Sequence, residues 1–234
     1  MTDIPRTMQA VVLMRHGVAQ HNLLDPVTGQ APNLLDPALL DPPLVYQGKQ
    51  QALESGERLQ VWYKATQAGE YPQLVVVSPL TRCIQTATIA LLPGSRYTLS
   101  QSEPAFCCTE LVREAFGMHY PDQRRPKSIL QRHWPALAFD PNMTEADTAW
   151  RPDARESIQD VQQRIAAFWE FLVQRPEDNI VVVSHGVWIE ACIHRYCPEA
   201  LDHGRQRVYN CDMFAIECNS KDGRFVGVSN ARKL

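Results

Sequence analysis

The chain has 234 residues, of which 44% are hydrophobic, and a formal net charge of −3 at pH 7. A chain of this length and composition can form one domain with a substantial core. The slight negative charge excludes the strongly basic surface that binds nucleic acid or anionic membranes, so neither partner is expected. No apolar stretch reaches the roughly 18 residues that cross a bilayer.

The cysteines and the N-terminus indicate a reducing compartment. The seven cysteines are scattered and form no CxxC pair, which favours free thiols over structural zinc or disulfides. Residues 1–9 lack the charged and then apolar layout of a secretory signal. We therefore expect a cytoplasmic protein, with the nucleus left open, and no oligomeric state is predicted.

The first predicted element is a buried strand at residues 10–14, a short apolar run with two valines. Arg15, His16 and Gly17 follow it directly. In open α/β sheets, ligands bind at the carboxyl ends of the strands. A cation and an imidazole at that edge are in position to meet an anion. A tripeptide recurs by chance, however, so its role depends on the rest of the chain.

Two later segments share this arrangement. An apolar strand at 74–78 precedes a helix predicted over 79–91, which Ser78 is expected to cap. Another apolar strand at 179–184 runs into a histidine and a glycine, and a helix is predicted over 187–196. In both segments, as in the first, a buried strand therefore ends at polar residues.

These three strand ends deliver Arg15, His16, Arg82 and His185 to one edge of one sheet. Two guanidiniums and two imidazoles would repel one another there unless an anion lay among them. A phosphoryl group suits this position, because arginine matches its oxygens in bidentate fashion. The sequence thus predicts a phosphate pocket at this edge.

The remaining elements alternate in type. Helices are predicted over 47–68 and 153–173, and a final strand over 213–217. This alternation predicts a three-layer α/β/α sandwich with a mainly parallel central sheet. The whole chain, 1–234, is expected to form one domain, with a proline-rich, cap-like excursion over the site at about 100–152. The long loop at 21–43 is also rich in proline and is of a length that is often functional.

The strand-end motifs occur in the order seen in a known family. They are Arg15-His16-Gly17 with Asn22 five positions on, Ser78-Pro79-Leu80-Thr81-Arg82, and Ser184-His185-Gly186. On these motifs the chain resembles the histidine phosphatase superfamily, in its phosphoglycerate mutase-like branch, over nearly its whole length. The middle segment is similar to the plant and fungal phosphoglycerate mutase-like proteins, through Val112-Arg113-Glu114-Ala115-Phe116-Gly117, Asp122-Gln123-Arg124-Arg125 and Trp150-Arg151-Pro152-Asp153-Ala154-Arg155-Glu156.

The resemblance implies a role for each residue of the phosphate pocket. His16 would be the nucleophile and form a phosphohistidine, while Arg15, Arg82 and His185 would hold the phosphoryl oxygens in the transition state. Asn22 would add a hydrogen bond to a phosphate oxygen. Its alternative role is that of a turn residue capping its own backbone.

The reaction also needs a proton donor. One carboxyl can protonate the leaving alcohol and later accept a proton from water. The resemblance places this acid at Glu114, within Val112-Arg113-Glu114 and ahead of Gly117, with one residue fewer before the glycine than in commoner members. Glu110 is the alternative, because a strand continuing through Leu111 would put both carboxyls on one face.

Five cationic or titratable side chains lie directly before or after the proposed acid: Arg113, His119, Arg124, Arg125 and Lys127. They are either a solvated charged face or a collar for a second anionic group or a polar leaving group. Both interpretations stay open, and Arg124 and Arg125 are the candidate substrate-binding residues.

We therefore predict a metal-independent phosphatase that hydrolyses a small phosphomonoester. No metal or other cofactor is expected, because the arginines supply the positive charge and the sequence lacks a tight carboxylate cluster or a His-x-x-x-His pair on one helix. The only predicted partner is the small phosphorylated substrate. The alternatives are a phosphoglycerate mutase-type phosphotransferase and a binding or scaffold member of the family with weak turnover.

Overall fold

The computed structural model describes residues 8–66, 71–92, 105–201 and 207–234. Seven strands lie within these residues: β1 (Met8–Arg15), β2 (Leu74–Val77), β3 (Ala105–Cys108), β4 (Ala138–Phe139), β5 (Asn179–Ser184), β6 (Met213–Lys221) and β7 (Arg224–Lys233). Five α-helices accompany them: α1 (Tyr46–Thr66), α2 (Thr81–Leu91), α3 (Lys127–His133), α4 (Ile158–Val173) and α5 (Gly186–Tyr196). The described helices include none that is both long and apolar enough to cross a membrane.

The strands form one sheet in the order β4-β3-β2-β5-β1-β6-β7. The first five are mutually parallel where they pair, and β6 and β7 are added in antiparallel fashion next to β1. Arg15 pairs with Ser184, and Val77 pairs with Val183. The carboxyl ends of β1, β2 and β5 therefore meet at one edge, as the sequence predicts.

Alternate side chains of each strand enter two separate cores. Val11 and Leu13 pack in the core that contains the buried side of α4 and α5. Val12 and Met14 face the opposite core, which contains the buried sides of α1 and α2. Burial on both faces explains why the strands are continuous apolar runs without alternation. The three-layer α/β/α sandwich with a mainly parallel sheet is confirmed.

The start of α2 differs from the prediction. The helix begins at Thr81, after Leu80, and Leu80 has no capping side chain. Asp41 of the proline-rich loop takes that role, because its carboxylate accepts hydrogen bonds from the Thr81 N–H at 2.8 Å and from the Thr81 hydroxyl at 2.6 Å. The prediction that Ser78 caps this helix is wrong, and the Ser78 hydroxyl instead lies 2.7 Å from a histidine nitrogen.

The ends of other elements also differ. Helix α4 begins at Ile158 and not at 153, because Ser157 caps it in a reciprocal pair with Asp160. The last predicted strand continues to Lys221. The predicted end of the 47–68 helix falls on residues 67–70, which lie outside the described residues.

Part of the predicted excursion belongs to the sheet. Strand β3 pairs with β2, and the two-residue β4 pairs with β3. Residues 109–137 between these strands hold two short 3₁₀ turns and α3. The excursion is thus narrower than the predicted 100–152 and consists of residues 109–137 and 140–152. The first residues of the predicted range, 100–104, lie outside the described residues.

Candidate active site

His16 follows β1 and is 1% exposed. Its N–H donates to the Ser184 carbonyl at 3.0 Å, which ties it to β5. Its Nδ1 lies 2.7 Å from the Gly17 carbonyl and donates to it, so Nε2 keeps its lone pair. Burial lowers the pKa of His16 well below its usual range, and Arg82 lowers it further. The residue is therefore a neutral imidazole whose unprotonated Nε2 faces Arg82.

His185 is fully buried at the start of α5. Its Nδ1 accepts a hydrogen bond from Arg82 Nη2 at 3.1 Å, which leaves the ring proton on Nε2, 2.7 Å from the Ser78 hydroxyl. The two imidazole rings, of His16 and His185, are 5.1 Å apart and meet edge to face. Burial, followed by the charge of Arg82, holds the pKa of His185 well below its usual range.

Arg82 lies in the first turn of α2, is 1% exposed, and connects the two histidines. Its Nε donates to His16 Nε2 at 3.2 Å. Its Nη1 donates to the Pro121 carbonyl, and its Nη2 forms an ion pair with Asp122 at 2.9 Å. The guanidinium is thus held on one side by histidines of the sheet edge and on the other by the excursion.

Arg15 leaves donors for a ligand. Its Nη1 donates to the Val208 carbonyl at 2.6 Å, and its buried Nε has no hydrogen-bond partner among the described residues. A Cβ at Gly186 would lie at an ordinary contact distance of 3.5 Å from the guanidinium carbon, which places Arg15 beside the first turn of α5. A cation beside a helix N-terminus favours anion binding there.

Asn22 and His21 share a 3₁₀ turn next to the two central histidines. The Asn22 Oδ1 accepts from the Ala19 N–H at 3.0 Å, which matches the alternative role of a turn residue, while its Nδ2 has no partner within the described ranges. The His21 ring lies 5.9 Å from His16. Burial, with Arg82 and Arg15, lowers the pKa of His21 to about 2. Sequence reasoning missed this third neutral imidazole, although its position beside Asn22 could have indicated it.

The two candidate acids lie in different surroundings. Strand β3 ends at Cys108 and a 3₁₀ turn follows, so the idea that Glu110 and Glu114 share a strand face is wrong. The Glu110 carboxylate is paired with Arg113 at 2.7 Å and with Arg124. These two ion pairs hold the Glu110 carboxylate against arginines of the excursion.

Glu114 instead faces the phosphate pocket. Its carboxyl accepts from the Ala115 N–H at 2.9 Å and from the Val187 N–H, in the first turn of α5, at 3.3 Å. Burial raises the pKa of Glu114, and the negative charge of Asp122 raises it further. A raised pKa extends the pH range over which the carboxyl keeps its proton, in the direction that a general acid requires.

The predicted basic collar is largely internal. Arg124 is 3% exposed, and its Nε donates to Glu110 while its two Nη atoms donate to carbonyls of residues 125 and 144–146. These contacts engage every nitrogen of Arg124 within the excursion, so the structure shows a structural role for it and its binding of substrate stays a prediction. Arg125 is 43% exposed and lies 3.6 Å from the Asp41 carboxylate. Arg113 is fully buried against Asp147.

The described residues contain no group of three or more His, Cys, Asp or Glu side chains placed to hold a metal ion. The positive charge of the pocket comes from Arg15 and Arg82. Two neutral histidines, bridged by a buried arginine, lie at the carboxyl edge of a mainly parallel sheet, which makes this edge the candidate active site of an α/β protein.

Comparison with known proteins identifies the family. The model of the histidine phosphatase superfamily (branch 1) matches residues 11–231, and the chain belongs to this family. A phosphoglycerate mutase-like protein of Arabidopsis thaliana is 26% identical over 230 residues, covering 88% of this chain and 82% of its own length. A 2,3-bisphosphoglycerate-dependent phosphoglycerate mutase of Tropheryma whipplei (strain Twist) is 27% identical over 246 residues, covering 94% of this chain and 100% of its own length.

A solved structure supports the fold. A mycobacterial glucosyl-3-phosphoglycerate phosphatase has a TM-score of 0.55 at 20% identity, covering 97% of each chain. The similarity extends over nearly the whole of both chains, so the two proteins share the architecture of the entire domain.

Proposed function

We propose that this protein is a phosphatase that hydrolyses a small phosphomonoester through a phosphohistidine on His16, without a metal ion. The observation that carries the proposal is the protonation pattern of His16. Its Nδ1 proton is directed to the Gly17 carbonyl at 2.7 Å, and its pKa lies well below the usual range. The lone pair on Nε2 is therefore unprotonated at neutral pH, and it becomes available for attack when the Arg82 Nε that donates to it turns to the phosphoryl group.

The charge around His16 suits a phosphoryl group. Arg82 and Arg15 lower the pKa of His16 through their positive charges, which places both guanidiniums close to it. Phosphoryl transfer depends mainly on positioning and on stabilising negative charge on the equatorial oxygens. Arg15, whose Nε has no partner among the residues described, and the amide of Asn22 supply further donors.

The proposed reaction has two steps. In the first, His16 Nε2 attacks phosphorus, the bond to the leaving oxygen breaks, and Glu114 gives its proton to that oxygen. In the second, water attacks the phosphohistidine and gives a proton to the Glu114 carboxylate, while the electron pair of the P–N bond returns to Nε2. His185 and Arg82 hold the transferred group in both steps, and the half-exposed Arg125 is a candidate substrate contact.

The test is phosphate release from an aryl phosphate with chelator present. Wild-type protein should turn over, and His16→Ala should lose both activity and the acid-labile phosphoprotein. His133→Ala, at an exposed histidine on α3, is the matched control and should behave as wild type.

Three results would contradict the proposal. Absence of turnover on a broad phosphoester panel would favour a binding or scaffold role. Transfer of the phosphoryl group between phosphoglycerate positions, faster than release to water, would favour a mutase. Survival of the phosphoprotein in His16→Ala would assign the nucleophile to another residue.

A further inference from the structure

Asp122 is a buried carboxylate held between two arginines. Its Oδ1 lies 2.9 Å from Arg82 Nη2, and its Oδ2 lies 3.1 Å from Arg155 Nη1. The side chain is 7% exposed, and His119 Nδ1 lies 3.9 Å away. A carboxylate buried in this way is costly to desolvate and is retained where both oxygens are paired. Asp122 is therefore not part of a solvated charged face.

The position of Arg82 depends on this carboxylate. A guanidinium presents its five N–H groups in one rigid plane, so holding one end directs the other. Asp122 and the Pro121 carbonyl hold the two Nη atoms, and the Nε then faces His16 Nε2 at 3.2 Å. The 3₁₀ turn Tyr120–Asp122 thus acts as a clamp on the arginine that connects the histidines.

Asp122 also lies in the electrostatic surroundings of Glu114. Arg82 on α2 favours ionisation of that carboxyl, and so do the N–H groups of Ala115 and of Val187 on α5. Arg15 on β1 is also a neighbour, because the negative charge of Glu114 raises the pKa of Arg15. Asp122 is the negative side chain among these neighbours, and it opposes the ionisation of Glu114.

We infer that Asp122 is a positioning residue of the reaction, which fixes the Arg82 guanidinium against His16 and His185 and places a negative charge beside Glu114. It touches neither the phosphoryl group nor the nucleophile and acts through its two neighbours. The inference rests on the proposed phosphatase function.

Asp122→Asn keeps the size of the side chain and removes its charge. Arg82 then loses an ion pair, and kcat/KM should fall about 10- to 100-fold, because small displacements of positioning groups cost rates of this order. Glu114 should ionise at lower pH, since the charge that opposes its ionisation is gone. The alkaline limb of the pH–kcat profile should therefore move to lower pH.

Asp153→Asn is the matched control. Asp153 is 65% exposed and pairs with the exposed Arg151 in the same segment of the chain. This variant should keep the wild-type rate and the wild-type pH profile. Asp122→Glu retains the charge with a longer reach, so it should lower kcat while leaving the alkaline limb near its wild-type position.

A titration of the Glu114 carboxyl by ¹³C NMR, assigned by the loss of its signal in Glu114→Gln, gives a measurement that needs no turnover. A lower midpoint in Asp122→Asn than in wild type and Asp122→Glu supports the inference. A wild-type kcat/KM in Asp122→Asn would overturn the clamp on Arg82, and an unchanged midpoint would overturn the charge effect on Glu114. Failure of the wild-type protein to release phosphate would refute the proposed function instead, and the titration would still decide the effect of Asp122 on Glu114.

Discussion

Gly17 packs directly against the start of α1, next to the proposed nucleophile His16. A methyl group at Gly17 would lie 3.1 Å from both the Cα and the carbonyl carbon of Gly48, and nearer still to the carbonyl oxygen. Ordinary contact begins at 3.4 Å, so the backbones must separate by at least 0.3 Å. Overpacking of this kind costs about 1–3 kcal/mol of the free energy of unfolding. Gly17→Ala should lose that stability.

The same displacement should reach the chemistry. The Gly17 carbonyl accepts the Nδ1 proton of His16, so moving this backbone misdirects Nε2. A misplacement of 1 Å can cost ~100-fold in rate, and a few tenths should therefore cost on the order of 10-fold in kcat/KM. The measurements are urea unfolding and turnover of an aryl phosphate by the folded variant.

Gly56→Ala is a control with the same steric conflict. A methyl group there would also lie 3.1 Å from a backbone Cα and carbonyl carbon, those of Ala90, between α1 and α2. It should lower the free energy of unfolding by a similar amount and leave kcat/KM unchanged. Equal losses of rate in the two variants, or full activity in folded Gly17→Ala, would refute the reasoning.

Two further predictions concern proton transfer. Glu114→Gln should slow the hydrolysis of alkyl phosphates far more than that of aryl phosphates, because poor leaving groups depend on the acid. Glu110→Gln should lower thermal stability without this selectivity. The reverse ranking of the two variants would make Glu110 the acid. Because the pKa of His16 is lowered well below its usual 6.5, its neutral form should persist as the pH falls through that value. A kcat profile at saturating substrate with an acid limb near pH 6.5 would contradict this.

The phosphate-binding part of the site could be predicted from local sequence. Arg15, His16 and His185 follow apolar runs directly, and parallel strands bring their ends together whatever the connecting segments do. Arg82 is in the first turn of a helix that follows such a strand. Each position needs only a strand and its next few residues, and the structure brings all four together.

The other features of the fold and the site could not be predicted from local sequence, because they depend on contacts between residues that are far apart in the chain. The cap of α2 comes from Asp41, 40 residues before Thr81, so the adjacent Ser78 was the wrong choice. Arg124 belongs to a run of cations, but its partners are Glu110 and carbonyls at 144–146, which no local pattern indicates. No local pattern indicates a role for Asp122, because its burial between two arginines arises only after folding.

The central position of β1 in the sheet distinguishes the backbone that holds His16 from the backbone that holds Glu114, Asp122 and Arg125. The strand is hydrogen-bonded on both sides, to β5 and to β6, so His16 follows backbone that we expect to open only with global unfolding. Glu114, Asp122 and Arg125 lie instead on loops and a 3₁₀ turn outside the sheet, a kind of backbone whose other positions tolerate change more readily. Under the proposed function, we expect other leaving groups to be accommodated by changes elsewhere in the excursion, while these residues and the strand that presents His16 are kept.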